Sequence, residues 1–209
     1  MAKGAKSDST APVTPPSKNN SVPALVLIGL SAGGMEALYS LLDAIPHDFK
    51  FTIVVMLHLH PDYKSVLASL LAQRTGLRVE AAADGKLMPG IVYVAPPDQH
   101  LTFKDGSIRL LRTAPVHHHR PSIDVMFESA AMDESLRIVA VLLSGADNDG
   151  ASGISAIKAV GGTTIAQSPE TAQFRSMPNA AIATGCVDFV LPSRKIGEVL
   201  EKLTTAANG

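Results

Sequence analysis

The chain has 209 residues, of which 46% are hydrophobic, and it carries 18 basic and 19 acidic side chains. This length suits one domain with tails, and the apolar content is enough for a substantial core. A formal charge of −1 gives no electrostatic reason to expect DNA, RNA or an anionic membrane as the main partner. Because Cys186 is the only cysteine, an intramolecular disulfide is excluded and a cysteine-based metal site is disfavoured.

The first 22 residues are rich in Lys, Ser, Thr, Pro and Asn, and they are predicted to form a disordered leader. They lack the apolar run of roughly 7–15 residues that a cleavable signal peptide needs. We therefore expect a cytoplasmic protein without membrane insertion. The predicted domain covers residues 23–204 and is followed by a short tail over 205–209.

Strands and helices are predicted to alternate at the start of the domain. Nearly continuous apolar runs at 24–28 and 51–57 are typical of strands covered on both faces. Apolar spacing predicts helices over 34–44 and 62–75. Two such strand-helix units in succession indicate a parallel sheet.

The pattern shortens between residues 77 and 111, where a Lys104-Asp105-Gly106 turn predicts a β-hairpin. Alternation then resumes, with Ser122 as the predicted cap of a helix. The later predicted elements are a helix over 122–134, a strand over 137–143, a helix over 150–160, a strand over 163–166, a helix over 178–184, a strand over 187–191 and a helix over 194–203. The sequence therefore predicts an α/β fold with a doubly wound, mostly parallel sheet flanked by helices and a small β-hairpin excursion.

Ser31 stands in Gly29-Leu30-Ser31-Ala32-Gly33, which fits the pattern G-x-S-x-G. That pattern mounts a serine on a sharp strand-to-helix turn, where its hydroxyl is exposed and a helix N-terminus favours developing negative charge. The same stretch nearly fits the dinucleotide fingerprint G-x-G-x-x-G, but Ser31 occupies the second glycine position. A nucleophile, a phosphate-binding loop and tight packing all stay open on this motif alone.

Polar side chains follow three of the predicted strands. Ser31 follows the first, His58 and His60 follow the second, and Asp147 and Asp149 follow a later one. Functional groups of doubly wound sheets collect beyond the carboxyl ends of the strands. Serine, histidine and aspartate are the set that acyl transfer needs, because the imidazole takes the hydroxyl proton and the carboxylate orients the imidazole. The same residue types also serve as structural hydrogen-bonding groups and helix caps, and Asp149 would stand where the next helix begins.

Two polar runs contain residue types that can bind metal ions, but we do not expect a metal site at either of them. Consecutive loop histidines, such as the run 117–119, rarely converge on one ion, so a solvent-side loop is the preferred interpretation. The Asp-Asn-Asp run 147–149 lacks the twelve-residue calcium pattern that ends in Glu. We therefore expect no metal and no cofactor.

Several motifs in a fixed order make the chain similar to the catalytic domain of the chemotaxis protein-glutamate methylesterases, which are response-regulator esterases that remove methyl groups from receptor glutamates. The resemblance covers about residues 26–203. Its motifs lie at 29–34 (GLSAGG), 58–61 (HLHP), 93–100 (YVAPPDQH), 120–124 (RPSID), 143–150 (LSGADNDG) and 177–178 (MP).

The resemblance implies a role for three of these residues. Ser31 is the implied nucleophile, His58 its base and Asp149 the partner of the base. His58 is favoured over His60 because it stands three residues before Pro61, as the histidine of the family does relative to its last proline.

Two features depart from the family pattern. Ala32 stands where many members have threonine, so the backbone N–H of Ala32 is the expected oxyanion support there, with that of Ala146 as a second donor. Family members in chemotaxis usually carry an N-terminal receiver domain, for which the polar leader is too short. Control by phosphorylation within this chain is therefore not expected, and a separate regulatory protein is the expected replacement.

The resemblance implies that glutamate γ-methyl esters of a chemoreceptor-type protein are hydrolysed to glutamate and methanol, with deamidation of receptor glutamine as a related activity. One alternative is a catalytically silent protein-binding module of the same fold, which should lack a triad member. The other is a nucleotide-binding α/β domain that uses residues 29–34 as its phosphate loop. A dinucleotide binder should show an acidic residue after the second strand, where this chain has Leu57 and His58.

Overall fold

The structure, a computed structural model, describes residues 24–58 and 66–205, with the side chains of 204 and 205 excepted. The predicted leader, most of the predicted tail and the first part of the helix predicted over 62–75 lie outside the described residues. His60, the alternative to His58, also lies outside the described residues.

A seven-stranded parallel sheet forms the centre of the fold. The strands of the described chain are β1 (Ala24–Leu30), β2 (Thr52–Leu57), β3 (Val79–Ala81), β4 (Gly85–Lys86), β5 (Val92–Val94), β6 (His100–Lys104), β7 (Ser107–Leu111), β8 (Arg137–Leu142), β9 (Thr163–Gln167) and β10 (Phe189–Leu191). The sheet order is β10-β9-β8-β1-β2-β5-β3, and every neighbouring pair is parallel. The order reverses at β1, which is the arrangement of a doubly wound sheet and confirms the predicted fold class.

Helices cover both faces of this sheet. They are α1 (Gly34–Leu42), α2 (Leu67–Thr75), α3 (Ile123–Ala131), α4 (Ala151–Ala159), α5 (Ser176–Ala183) and α6 (Ser193–Thr205). One core contains side chains of α1, α2 and α6, and a second core contains side chains of α3, α4 and α5. Every residue of β1 is buried, because this strand lies between the two cores. The unbroken apolar run at its position in the sequence reflects this double burial.

The predicted hairpin is present as β6 and β7, and it gains a short third strand that the sequence did not predict. The smaller sheet is antiparallel in the order β4-β7-β6. Its buried Phe103 and Ile108 join the core that also contains α3. The excursion therefore packs beside the same helix that, as described below, contacts the candidate site.

None of the helices in the described part of the chain combines the length and the apolar character that crossing a membrane requires.

Candidate active site

Ser31 is the first residue after β1, and it stands on a sharp turn into α1. The turn needs glycine at position 33, whose φ of 68° is left-handed and whose missing Cβ would lie 2.6 Å from the Gln173 side chain. The backbone N–H of Ser31 donates to the carbonyl oxygen of Ser144 at 2.9 Å. The serine is thereby fixed between its own turn and the loop that follows β8.

His58 is the first residue after β2, the strand that pairs with β1. Its backbone N–H donates to the carbonyl oxygen of Leu30 at 3.3 Å, so the parallel register of the two strands places His58 beside Ser31. The ring joins two partners: Nδ1 lies 3.2 Å from Oγ of Ser31, and Nε2 lies 2.7 Å from Oδ2 of Asp149. A neutral ring that donates Nε2–H to the carboxylate keeps the Nδ1 lone pair free to accept the serine proton.

Asp149 comes from the loop after β8, the other neighbour of β1, and its side chain is 1% exposed. Besides His58 it accepts hydrogen bonds from the Ser122 hydroxyl at 2.9 Å and from the backbone N–H groups of Ile123 at 2.6 Å and Asp124 at 3.0 Å. Burial alone would raise the pKa of Asp149, but the hydrogen bonds from His58 and from these N–H groups outweigh it and hold the pKa at about 2. Asp149 is therefore an anion at neutral pH.

The helix that Asp149 stabilises is not the one that the sequence predicted. The residue that caps α4 is Gly150, which makes no side-chain cap, whereas the Asp149 carboxylate binds the first N–H groups of α3. Asp124, in the first turn of α3, accepts in return from the N–H of Gly153 in the first turn of α4 at 2.8 Å. We call this exchange the reciprocal caps: each helix N-terminus is satisfied by a carboxylate that belongs to the other helix or its leading loop.

Asp147 and His119 form a second polar layer over His58. Oδ2 of Asp147 lies 3.4 Å from Nδ1 of His58 and 3.1 Å from Nε2 of His119. The rings of His58 and His119 stack with centroids 3.8 Å apart and planes 7° apart. Burial would lower the pKa of His58, but the hydrogen bonds and charges of Asp147 and Asp149 outweigh it and raise the pKa to about 9. Burial and the neighbouring His58 lower the pKa of His119.

The structure brings most of the predicted site residues to one edge of the sheet. Ala32 and Ala146, the predicted oxyanion supports, are exposed residues on the two loops that carry Ser31 and Asp149. Ser144 ties the Ala32 loop in place, because its hydroxyl donates to the carbonyl oxygen of Ala32 at 2.9 Å. The oxyanion role of Ala32 and Ala146 stays a prediction.

Other motif residues act on the site through α3. Ser122 is the N-cap of α3, as predicted, and its backbone N–H donates to Nδ1 of the buried His100 at 3.2 Å. His100 in turn donates from Nε2 to the carbonyl oxygen of Ala114 at 3.1 Å. Arg120 pairs with Asp98, which connects the motifs at 93–100 and 120–124. These motifs therefore fix the end of α3 that holds Asp149.

His119 and Asp147 were not predicted to meet at this site. The histidine run was expected to face solvent, and His117 and His118 are indeed exposed, but His119 turns inward and its side chain is only 27% exposed. His58, His119 and Asp147 are also the described residues that could hold a metal ion, since their ligand atoms lie within 4.8 Å of one another.

An α/β domain in which a serine on a strand-to-helix turn, a histidine and a buried aspartate are joined by hydrogen bonds has the construction of a serine esterase. The family model for CheB methylesterase matches residues 26–200 of this chain. The chain therefore belongs to the CheB methylesterase family.

Individual relatives support the same assignment. A protein-glutamate methylesterase/protein-glutamine glutaminase of Anaeromyxobacter dehalogenans is 40% identical over 181 residues, which is 86% of this chain and 53% of the relative. A Leptospira interrogans protein named for the same two activities is 36% identical over 85% of this chain and 93% of its own length. The crystal structure of the Thermotoga maritima CheB methylesterase catalytic domain is similar with a TM-score of 0.79 and 34% identity, covering 87% of this chain and 98% of that one. The chain thus spans about half the length of the first relative and nearly all of the second.

Proposed function

We propose that this protein is a serine hydrolase that removes methyl groups from glutamate γ-methyl esters of a chemoreceptor-type protein. The observation that carries the proposal is the ring of His58, which lies 3.2 Å from the Ser31 hydroxyl on one side and 2.7 Å from the Asp149 carboxylate on the other. Family membership supports the same reaction class, and relatives are named for methylesterase and glutaminase activity.

The proposed reaction proceeds through an acyl-enzyme. Oγ of Ser31 attacks the ester carbonyl carbon while Nδ1 of His58 takes the hydroxyl proton, and the same proton leaves with methanol. Water then attacks the glutamyl ester of Ser31 and gives a proton to His58, which passes it to Oγ of Ser31 as the acyl–oxygen bond breaks, so that glutamate leaves and the Ser31 hydroxyl is restored. Asp149 stabilises the imidazolium in both steps, and the backbone N–H groups of Ala32 and Ala146 are proposed to stabilise the oxyanion. A glutamine side chain would follow the same course with ammonia as the leaving group.

The two alternatives have less support. A silent binding module has no need for a buried carboxylate on Nε2 and a hydroxyl on Nδ1 of one imidazole. A dinucleotide binder would need an acidic residue at the end of β2, where His58 instead contacts Ser31. The separate regulatory protein expected from the sequence stays a prediction.

The test is to mix the purified protein with a membrane fraction of receptors carrying labelled methyl groups and to follow the release of labelled methanol. Release that depends on Ser31 supports the proposal, and the Ser31→Ala protein is the matched blank. Receptor binding without methanol release would favour the silent binding module. Binding of a dinucleotide that raises the Tm of the protein would favour the nucleotide-binding domain.

A further inference from the structure

Two residues that the proposed reaction does not use, His119 and Asp147, stand directly over the proposed base. With His58 they form a cluster of two imidazoles and one carboxylate whose ligand atoms lie within 4.8 Å of one another. We propose that this cluster binds a divalent transition-metal ion, with Zn²⁺ as the preferred ion, and that the bound ion blocks His58.

The two distances from Asp147 match those that such an ion requires, and the two imidazole nitrogens lie within 4.8 Å of each other. Zn²⁺ binds imidazole nitrogen and carboxylate oxygen at about 2.0–2.2 Å, so two ligand atoms of a tetrahedral site lie about 3.3 Å apart. Oδ2 of Asp147 lies 3.4 Å from Nδ1 of His58 and 3.1 Å from Nε2 of His119. Two imidazoles and one carboxylate also form the ligand set of known zinc sites with an open fourth position.

One ring must tilt for the ion to bind. The two imidazoles stack with planes 7° apart, whereas a metal ion lies close to the plane of each ring that it binds. His58 cannot supply the tilt, because its side chain is 9% exposed and Asp149 holds its Nε2. His119 can supply it, because its side chain is 27% exposed and stands on a connecting loop.

The consequence for activity rests on the proposed function. Nδ1 of His58 is the atom that would accept the proton of Ser31, and the same lone pair would bind the ion. An ion in the cluster therefore removes the base without occupying the serine. The expected effect is reversible inhibition that a chelator relieves.

Binding and inhibition can be measured separately. We would titrate the full chain with Co²⁺, whose visible absorption reports ligation, and then measure the inhibition of methanol release by Zn²⁺ alone. His119→Gln removes one ligand and should weaken both Co²⁺ binding and Zn²⁺ inhibition by at least about tenfold, since even outer-shell changes cost 10–100-fold. His118→Gln is the matched control, because His118 is an exposed histidine of the same loop outside the cluster, and it should bind like the parent.

Each outcome decides one of the two proposals. If the parent releases methanol but shows no Co²⁺ absorption and no inhibition by a molar excess of Zn²⁺, the metal site is overturned. Equal weakening by His118→Gln and His119→Gln also overturns it. If Co²⁺ binds through His119 in both the parent and the Ser31→Ala protein while the parent releases no methanol, the metal site stands and the proposed function fails.

Discussion

Replacement of Asp149 by asparagine should damage stability and turnover together, because one carboxylate serves both. The asparagine carbonyl can stay in the Oδ1 position, where Ser122 and Asp124 donate. Its amide nitrogen then faces two donors, the N–H of Ile123 at 2.6 Å and Nε2 of His58 at 2.7 Å. One buried unsatisfied donor costs about 1–3 kcal/mol, and loss of the charge weakens the bonds that remain. We expect a loss of about 2–4 kcal/mol in the free energy of unfolding.

The same amide would stabilise the wrong tautomer of His58. The ring would accept at Nε2 and carry its proton on Nδ1, which points at Ser31 and could no longer take the hydroxyl proton. Turnover should fall by about 10⁴-fold. Thermal unfolding and methanol release measured on the same preparation test both effects, and the expected stability loss corresponds to about 5–15 °C in Tm for a domain of this size.

Ser122→Ala is the matched control, because it removes a hydrogen bond to Asp149 and the cap of α3 without changing the ring contact. It should cost about 1 kcal/mol of stability and keep turnover within about tenfold of the parent. An inactive Asp149→Asn protein with the Tm of the parent would refute the stabilising role that we assign to the reciprocal caps. An active one would remove Asp149 from the proposed triad.

Three further variants test other parts of the structure. Ser31→Ala should lose about 10⁴-fold or more in rate with an unchanged Tm, and retained activity in that assay would contradict the nucleophile. His58 must be neutral to act as a base, so a pKa of about 9 places the acid limb of the kcat/KM profile there. Asp147→Asn removes an anion that stabilises the protonated ring of His58, so the acid limb of the profile should move to lower pH and activity at pH 7 should rise. An acid limb at the same pH as in the parent would show that Asp147 does not act on His58. Gly145→Ala should lower the free energy of unfolding by about 1–3 kcal/mol, because the Cβ of the alanine would lie 1.7 Å from the Met177 sulfur. A denaturant titration with the midpoint of the parent would argue against that packing.

The sequence was sufficient to predict the parallel sheet and the edge of that sheet at which the candidate site lies. Fully buried strands leave unbroken apolar runs, and the residue that follows such a run in a parallel sheet stands at its carboxyl edge. This reasoning selected Ser31 and the pair His58 and His60, and the preference for His58 came from the family resemblance. In the structure Ser31 and His58 each stand directly after their strands, and their catalytic roles stay predictions. Their contact also needs β1 and β2 to be neighbours in the sheet, which two successive strand-helix units indicate.

Contacts that depend on loop conformation could not be predicted from residue types and spacing alone. Asp147 and Asp149 are equivalent by composition, and Asp149 was preferred only through the family resemblance. The position of α3 determines which of the two carboxylates is buried against Nε2 of His58. His117 and His118 adopt positive φ values of 48° and 69°, and this local turn directs His119 inward. Three identical residues in a row give no signal for which of them reverses its direction.

The reciprocal caps also affect how the protein opens locally. Asp149, in the loop before α4, accepts from N–H groups of α3, and Asp124 of α3 accepts from an N–H group of α4. Separation of the two helices therefore leaves N–H donors of both without partners. The two helices should therefore form one cooperative unit in native-state hydrogen exchange, with the amides of Ile123, Asp124 and Gly153 exchanging at a common opening free energy. Asp149 belongs to that unit, so an opening that releases the N–H groups of Ile123 and Asp124 also removes two of the hydrogen bonds that orient the carboxylate toward His58.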